Sequence, residues 1–185
     1  MARIQAVGEA QAQGLLEEVY AEVAGKRGRI ANVFKVESLN PAVMRAHLGF
    51  YMSVMYGKSG LSRQQREMIA TTVSNANRCH YCTTHHSEAL SKYVKDAATI
   101  QAIKTDYGTA SIGPKEKAML AYAMKVTKTP AAVNDGDVEK LRQVGLSDAD
   151  ILDVTLVASY FNFVNRLVLS LGVQLEPAEE RKYEY

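Results

Sequence analysis

Cys79 and Cys82 are the only cysteines in the chain; they stand three residues apart, with His86 four residues beyond the second. Glu67 precedes Cys79 by twelve residues, inside the stretch EMIATTVSNANRCHYCTTHH, which also holds three of the four histidines. On a helix, residues three, four and seven apart share a face, so both sulfurs and the His86 imidazole would form one stripe. Two thiols one turn apart fall within the Cα separation that a disulfide accepts. A nearby imidazole can take a thiol proton, and a carboxylate can orient and charge that imidazole. These types at this spacing predict redox chemistry at sulfur.

Two plainer readings compete with it. Free cysteines pack well as small buried hydrophobes, but two in the whole chain at this spacing beside a histidine argue against that. Cys79, Cys82, His86 and Glu67 are also four plausible zinc ligands. A structural zinc site, however, usually draws its ligand pairs from separate elements and holds a fold too small to stand alone. Here three ligands crowd about two turns of one helix, in a chain long enough to bury a core. The expectation is therefore no metal and no cofactor. His80 and His85 point away from the stripe and read as surface or packing residues. His47 reads as a satisfied core histidine, and Met44, Met52, Met55 and Met68 as core filling.

Helical periodicity supplies the elements that must carry these groups. Leu15, Leu16, Val19, Tyr20 and Val23 predict a first helix over 11–24, ended by Gly25, and 25–40 reads as a connection anchored by Val33 and Phe34. Pro41 opens a second helix to about residue 56, with Val43, Met44, His47, Leu48, Tyr51, Met52 and Met55 on its apolar face. Ser62 followed by Gln65 has the form of a capping box for a helix running to about Asn75. Asn75-Ala76-Asn77 breaks it, with Asn77 expected to cap the next helix, from Cys79 to about Tyr93. That break matters, because in one unbroken helix Glu67 would sit more than three turns from Cys79. Further helices follow over 96–105, from Pro114 to Thr129, over 134–144, and from Ser147 to near Gly172. No β-alternation persists, and the class is all-α.

Gly60-Leu61-Ser62 is echoed by Gly145-Leu146-Ser147 at an offset of 85 residues. On that offset Glu67 falls on Leu152, Cys79 on Val164, Cys82 on Leu167 and His86 on Leu171. The echo suggests a duplicated helical unit within a single domain over 1–185. An active half would span about 1–110, a structural half about 111–176, and a loose charged tail 177–185.

The composition, 47% hydrophobic and 23% charged over 185 residues, is that of a soluble globular domain. A net charge of +2 without a basic block predicts no nucleic-acid partner. The start carries no apolar run of signal-peptide length, so a cytoplasmic location is expected. The apolar segment from Ile151 to Val173 is interrupted by Asp153, Asn162, Asn165 and Arg166, which argues for burial in protein rather than in a membrane. It is apolar nearly all round, which predicts a homo-oligomer.

The spacing Glu67-x11-Cys79-x2-Cys82-x3-His86 resembles the signature of the AhpD-like alkylhydroperoxidases of the carboxymuconolactone decarboxylase superfamily, and most of all their peroxidase-related branch. The all-α layout, the length and the duplicated look agree over most of the chain. The resemblance implies a peroxidase in which Cys82 is the peroxidatic cysteine, Cys79 resolves it, and Glu67 with His86 forms a proton relay. It also implies a peroxide substrate, an external dithiol reductant, and dimers building into trimers or hexamers. Tyr81 departs from the histidine often found at that position, which leaves its hydroxyl as an auxiliary group. Decarboxylase members generally lack the cysteine pair. The expected helix start favours Cys79 as the nucleophile, through the dipole. The nearer imidazole favours Cys82, and the family roles decide for Cys82. The alternatives are a non-catalytic redox- or zinc-sensing oligomeric module and a general disulfide reductase using the same pair.

Overall fold

The computed structural model describes residues 2–178, and among them it is all-α, without strands. The helices are α1 (Leu15–Arg27), α2 (Asn32–Lys35), α3 (Pro41–Tyr56), α4 (Arg63–Ala76), α5 (His80–Leu90), α6 (Ala97–Thr105), α7 (Pro114–Lys128), α8 (Asp135–Gln143) and α9 (Asp148–Leu171). Most of the expected tail, residues 179–185, lies outside the described residues. The described residues form two compact units, one of residues 2–53 with 166–178 and the other of residues 54–165.

The first unit is an aliphatic core around Val19, Val23, Phe34, Met44 and Leu48. α1 runs through Gly25, which periodicity had marked as its end, and stops instead at Gly28. Gly28 adopts φ +75° and donates its N–H to the Ala24 carbonyl at 2.7 Å, the left-handed cap that glycine accepts without strain. Gly25, lacking any such demand, continues the helix. Phe34 anchors the connection as expected, whereas Val43 faces solvent. His47 is the satisfied core histidine the sequence suggested. Its Nδ1 lies 2.9 Å from Glu37 Oε2, with both side chains buried. Arg3 donates through Nη1 to the carbonyls of Leu169 and Ser170, which would otherwise end α9 unpaired.

The second unit is built on α4. The Ser62 hydroxyl accepts the Gln65 N–H at 3.2 Å, and Gln65 Oε1 accepts the Ser62 N–H at 2.9 Å, completing the capping box that the spacing predicts. From Arg66 to Ser74 every residue of α4 is buried, because α5, α6 and α7 all pack against it. Polar side chains inside such a helix must find partners within the protein. One that does so is Glu67.

The reversal between α4 and α5 differs in register from the expectation. Asn77 closes α4 rather than capping α5, and Cys79 itself is the N-cap of α5, one position before its first turn. The Cys79 N–H bonds to the Ser74 carbonyl at 2.9 Å and the Arg78 N–H to the Asn75 carbonyl at 2.8 Å. This is the Schellman pattern, which needs a left-handed residue where Arg78 stands at φ +57°. Glycine usually fills that place, so sequence reasoning had no signal to set the register by. Arg78 is exposed, so Arg78→Gly should remove backbone strain and raise unfolding stability by about 1 kcal/mol in a denaturant titration.

In α9, the echo of the active stretch is only partly interior: Val164 is buried, but Leu167 and Leu171 are half-buried. Leu167→Ala should therefore cost about 1–2 kcal/mol, below the 2–5 kcal/mol usual for a fully buried leucine, measured by the same titration. Among the described residues α9 is one helix long and apolar enough to cross a membrane. It nevertheless carries Asn165, fully buried and hydrogen-bonded inside the protein.

Candidate functional site

The four residues singled out by spacing all lie in the second unit, as two contacting pairs, Cys79 with Cys82 and His86 with Glu67. Cys79 and Cys82 are unpaired thiols, 0% and 2% exposed, with their sulfurs 3.1 Å apart. The distance follows from the register: a residue at the N-cap and one three further on stand one turn apart. His86, the next turn along α5, places Nδ1 2.7 Å from Glu67 Oε2. The helix break thus brings Glu67 back against α5, as the chain reversal required. Tyr81 is buried and packs against His85 with ring centroids 4.5 Å apart and the rings tilted by 54°, and His80 is exposed. Among the described residues no three His, Cys, Asp or Glu side chains converge on a point where a metal could sit.

A fifth residue, which sequence reasoning missed, completes the carboxylate's surroundings. Arg63, the first residue of α4, reaches forward one turn and donates through Nε and Nη2 to Glu67 Oε1 at 2.8 and 2.6 Å. Its Nη1 donates to the Met55 carbonyl at 3.2 Å, and its guanidinium lies 3.7 Å from the centroid of the Tyr56 ring. The Arg63–Glu67 spacing of four on one helix was a signal available in the sequence. The arginine divides the carboxylate: one oxygen serves the guanidinium and the other the imidazole.

Charge follows geometry. Burial pushes the Glu67 carboxyl up, but the charges and hydrogen bonds of His86 and Arg63 outweigh it and hold Glu67 below its ordinary value. Of these two partners, Arg63 is the permanent charge. Burial pushes the His86 ring down, against the opposing pull of Glu67, so the imidazole is neutral at pH 7. Glu67 accepts the Nδ1 proton, which fixes the tautomer and leaves the Nε2 lone pair as the basic one. The edge of that ring contacts Phe161, with centroids 4.5 Å apart at 77°. The hydrogen bond from Cys82 lowers the Cys79 thiol against the opposing effect of burial. The same bond, with burial, raises Cys82 well above its ordinary value. The first negative charge on the pair therefore rests on Cys79, at the start of α5.

A match to the carboxymuconolactone decarboxylase family covers residues 41–125, which include Arg63, Glu67, Cys79, Cys82 and His86. The solved structure of an uncharacterized peroxidase-related protein from Ralstonia eutropha JMP134, with an alkylhydroperoxidase AhpD core, superposes with TM-score 0.86. The two are 31% identical, over 95% of this chain and 92% of that one. The chain belongs to the AhpD-like carboxymuconolactone decarboxylase superfamily. A second member, an uncharacterized peroxidase-related protein from Silicibacter sp. TM1040, agrees at TM-score 0.83 and 30% identity, over 95% of this chain and 93% of that one. The debrominase Bmp8 shares the superfamily fold at TM-score 0.78, with 21% identity over 94% of this chain and 91% of that one. The all-α fold expected from the sequence is thus the AhpD-like fold.

Proposed function

We propose that the protein is a thiol-dependent hydroperoxide reductase working through the Cys79–Cys82 pair. The observation that carries this reading is the approach of two buried thiols to 3.1 Å, one helical turn along α5 from an imidazole that a buried carboxylate holds. Cys82 attacks the peroxide. Because burial and its bond to Cys79 hold Cys82 protonated, attack requires a base, and we assign that role to His86, the neutral imidazole one turn further along α5. His86 takes the thiol proton, and Cys82 sulfur displaces the distal peroxide oxygen's partner with cleavage of the O–O bond. The imidazolium returns its proton to the departing alkoxide, so ROOH and the thiol become ROH and a Cys82 sulfenic acid. The Cys79 thiolate then attacks that sulfenic sulfur, expelling hydroxide that is protonated to water, and a Cys79–Cys82 disulfide forms. An external dithiol reduces it by exchange and is itself oxidised to a disulfide.

The test is peroxide consumption by purified protein with a dithiol reductant, with thiols titrated on the same sample. The reading requires turnover dependent on the dithiol, loss of two thiols on oxidation, and their return with dithiothreitol. Reversible thiol loss without peroxide consumption would favour a general disulfide reductase, the second reading that the sulfur pair supports.

The same proposal places the protein in the cytoplasm, where a dithiol reductant keeps such a pair cycling, and as a homo-oligomer. Leu152 and Phe163 on α9, eleven residues apart and so on one helical face, are 58% and 45% exposed, apolar surface that a second copy would cover. Sedimentation at micromolar concentration should show a multiple of the 20.3 kDa chain. A single species of monomer mass would contradict it.

A further inference from the structure

Thr71 stands on α4 between the two contacts that fix how α4 and α5 pair. At one end the Cys79 N–H bonds to the Ser74 carbonyl at 2.9 Å, and at the other His86 Nδ1 lies 2.7 Å from Glu67 Oε2. These contacts make the two helices antiparallel, and helices rise equally per residue, so positions between them pair by counting inward. Three residues in from Cys79 and Ser74, and four in from His86 and Glu67, both counts arrive at Cys82 on α5 and Thr71 on α4. Glu67, Thr71 and Ser74 are spaced four and three apart, and so share the face of α4 that meets α5. Thr71 is fully buried, and its hydroxyl has no hydrogen-bond partner among the described residues. Thr127 and Thr155, also within helices, donate theirs to the carbonyl four residues back, at 2.8 Å in both. Thr71 does not, and a buried hydroxyl left alone is destabilising unless something arrives to accept from it.

We propose that Thr71 is a further catalytic residue, whose hydroxyl donates a hydrogen bond to the peroxide oxygen that Cys82 takes up. Its partner arrives with the substrate, since the transferring oxygen is the acceptor that the reaction delivers to Cys82. As the sulfur attacks, negative charge passes from it to the two oxygens, so a donor fixed beside them binds the transition state more tightly than the resting site. Burial keeps water out, which makes one placed donor count for more than it would in solvent. The hydroxyl gives up no proton, and the step balances as before. The S–O bond forms, the O–O bond breaks, and the imidazolium protonates the departing alkoxide. Thr72 provides the comparison. It is as deeply buried and its hydroxyl is also without a partner, but it stands about 100° further round α4, on the face of Met68. The proposal rests on Cys82 being the sulfur that peroxide oxidises, not on the protein turning over as a peroxidase.

The experiment measures stoichiometric oxidation of Cys82 by hydrogen peroxide in Cys79→Ser protein, with the sulfenic acid trapped and located by mass spectrometry. One thiol reacts once there, so the donor is read apart from any catalytic cycle. Adding Thr71→Val, which keeps the branched shape and removes the hydroxyl, should slow that oxidation about tenfold, the worth of one hydrogen bond to a group gaining charge. Thr71→Ser retains a hydroxyl and should stay within about threefold of the parent. Thr72→Val removes the matching hydroxyl on the other face and should leave the rate within about twofold. Both valine variants lose a buried, unpartnered polar group, so both should unfold at higher denaturant concentration, and a merely structural role would move their rates alike. A Thr71→Val rate within about twofold of the parent, or an equal fall in Thr72→Val, would overturn the proposal. Should Thr71→Val fail to fold, Thr71→Ala is read in its place against the same limits. Failure of Cys82 to react in the parent would overturn this proposal and the peroxidase reading together. Rates as expected, with no peroxide turnover by the unmodified chain, would count against the peroxidase reading alone.

Discussion

His86→Ala should lower peroxide turnover at pH 7 by about 10²- to 10⁴-fold, the usual contribution of a positioned general base. The loss should shrink as pH rises, because the Cys82 thiol, held well above its ordinary value of 9.0, then ionises without help. Wild type should show a flatter profile with its acid limb displaced downward. Burial holds His86 below its ordinary value of 6.5, so the free imidazole persists below that pH and the base is lost only on further acidification. Glu67→Gln should also slow the reaction, since an amide can bind His86 Nδ1–H but cannot stabilise the imidazolium formed during proton transfer. It also leaves the Arg63 guanidinium without its carboxylate, and breaking a buried pair costs about 3–5 kcal/mol, so rates must be referred to folded protein. The stability consequence has a definite sign. Glu67 has a depressed pKa in the fold, so its contribution is present above the unfolded carboxyl value and is lost as pH falls through the folded one. A variant profile parallel to wild type, with no pH-dependent recovery, would remove the relay from the account.

How much of this was legible beforehand depended on what kind of signal each residue carries. The capping box at Ser62 and Gln65 and the helix opened by Pro41 are local, since the residues that define each end bond within one turn of themselves. Cys79, Cys82 and His86 were legible because helical spacing alone puts them on one face, and Glu67 because a break had to bring it back. The register of the break was not legible. It hangs on Arg78 in a left-handed conformation that an exposed arginine does not announce, and it makes Cys79 the cap rather than Asn77. Arg63 could have been found by its spacing of four from Glu67. The burial of Asn165 was not legible: in sequence it reads as a polar interruption of α9, and its partners Ser74 and Asn77 lie far away along the chain. The half-buried Leu167 shows the converse. An apolar residue at the echo of a catalytic position need not occupy an equally buried place.

Cys82→Ser should abolish turnover at every pH, while Cys79→Ser should still permit one oxidation, trapped at Cys82 because no resolving thiol remains. The structure sharpens what that second variant must show. With Cys79 absent, Cys82 loses the hydrogen bond and the neighbouring charge that raise it, leaving burial as the main opposing effect. Its first oxidation should then proceed at a rate within an order of magnitude of wild type, and depend less on His86 than the intact pair does. The opposing possibility is equally concrete, since the hydrogen bond within the pair lowers the Cys79 thiol, at the start of α5, and raises Cys82.

The most direct measurement is therefore single-turnover oxidation of Cys79→Ser and Cys82→Ser by one equivalent of peroxide across pH, with the sulfenic acid trapped and its position located by mass spectrometry. Trapping at Cys82 in Cys79→Ser, and no reaction in Cys82→Ser, is the predicted result. Trapping at Cys79 in Cys82→Ser, with Cys79→Ser inert, would contradict it and transfer the attacking role to the helix-start thiolate.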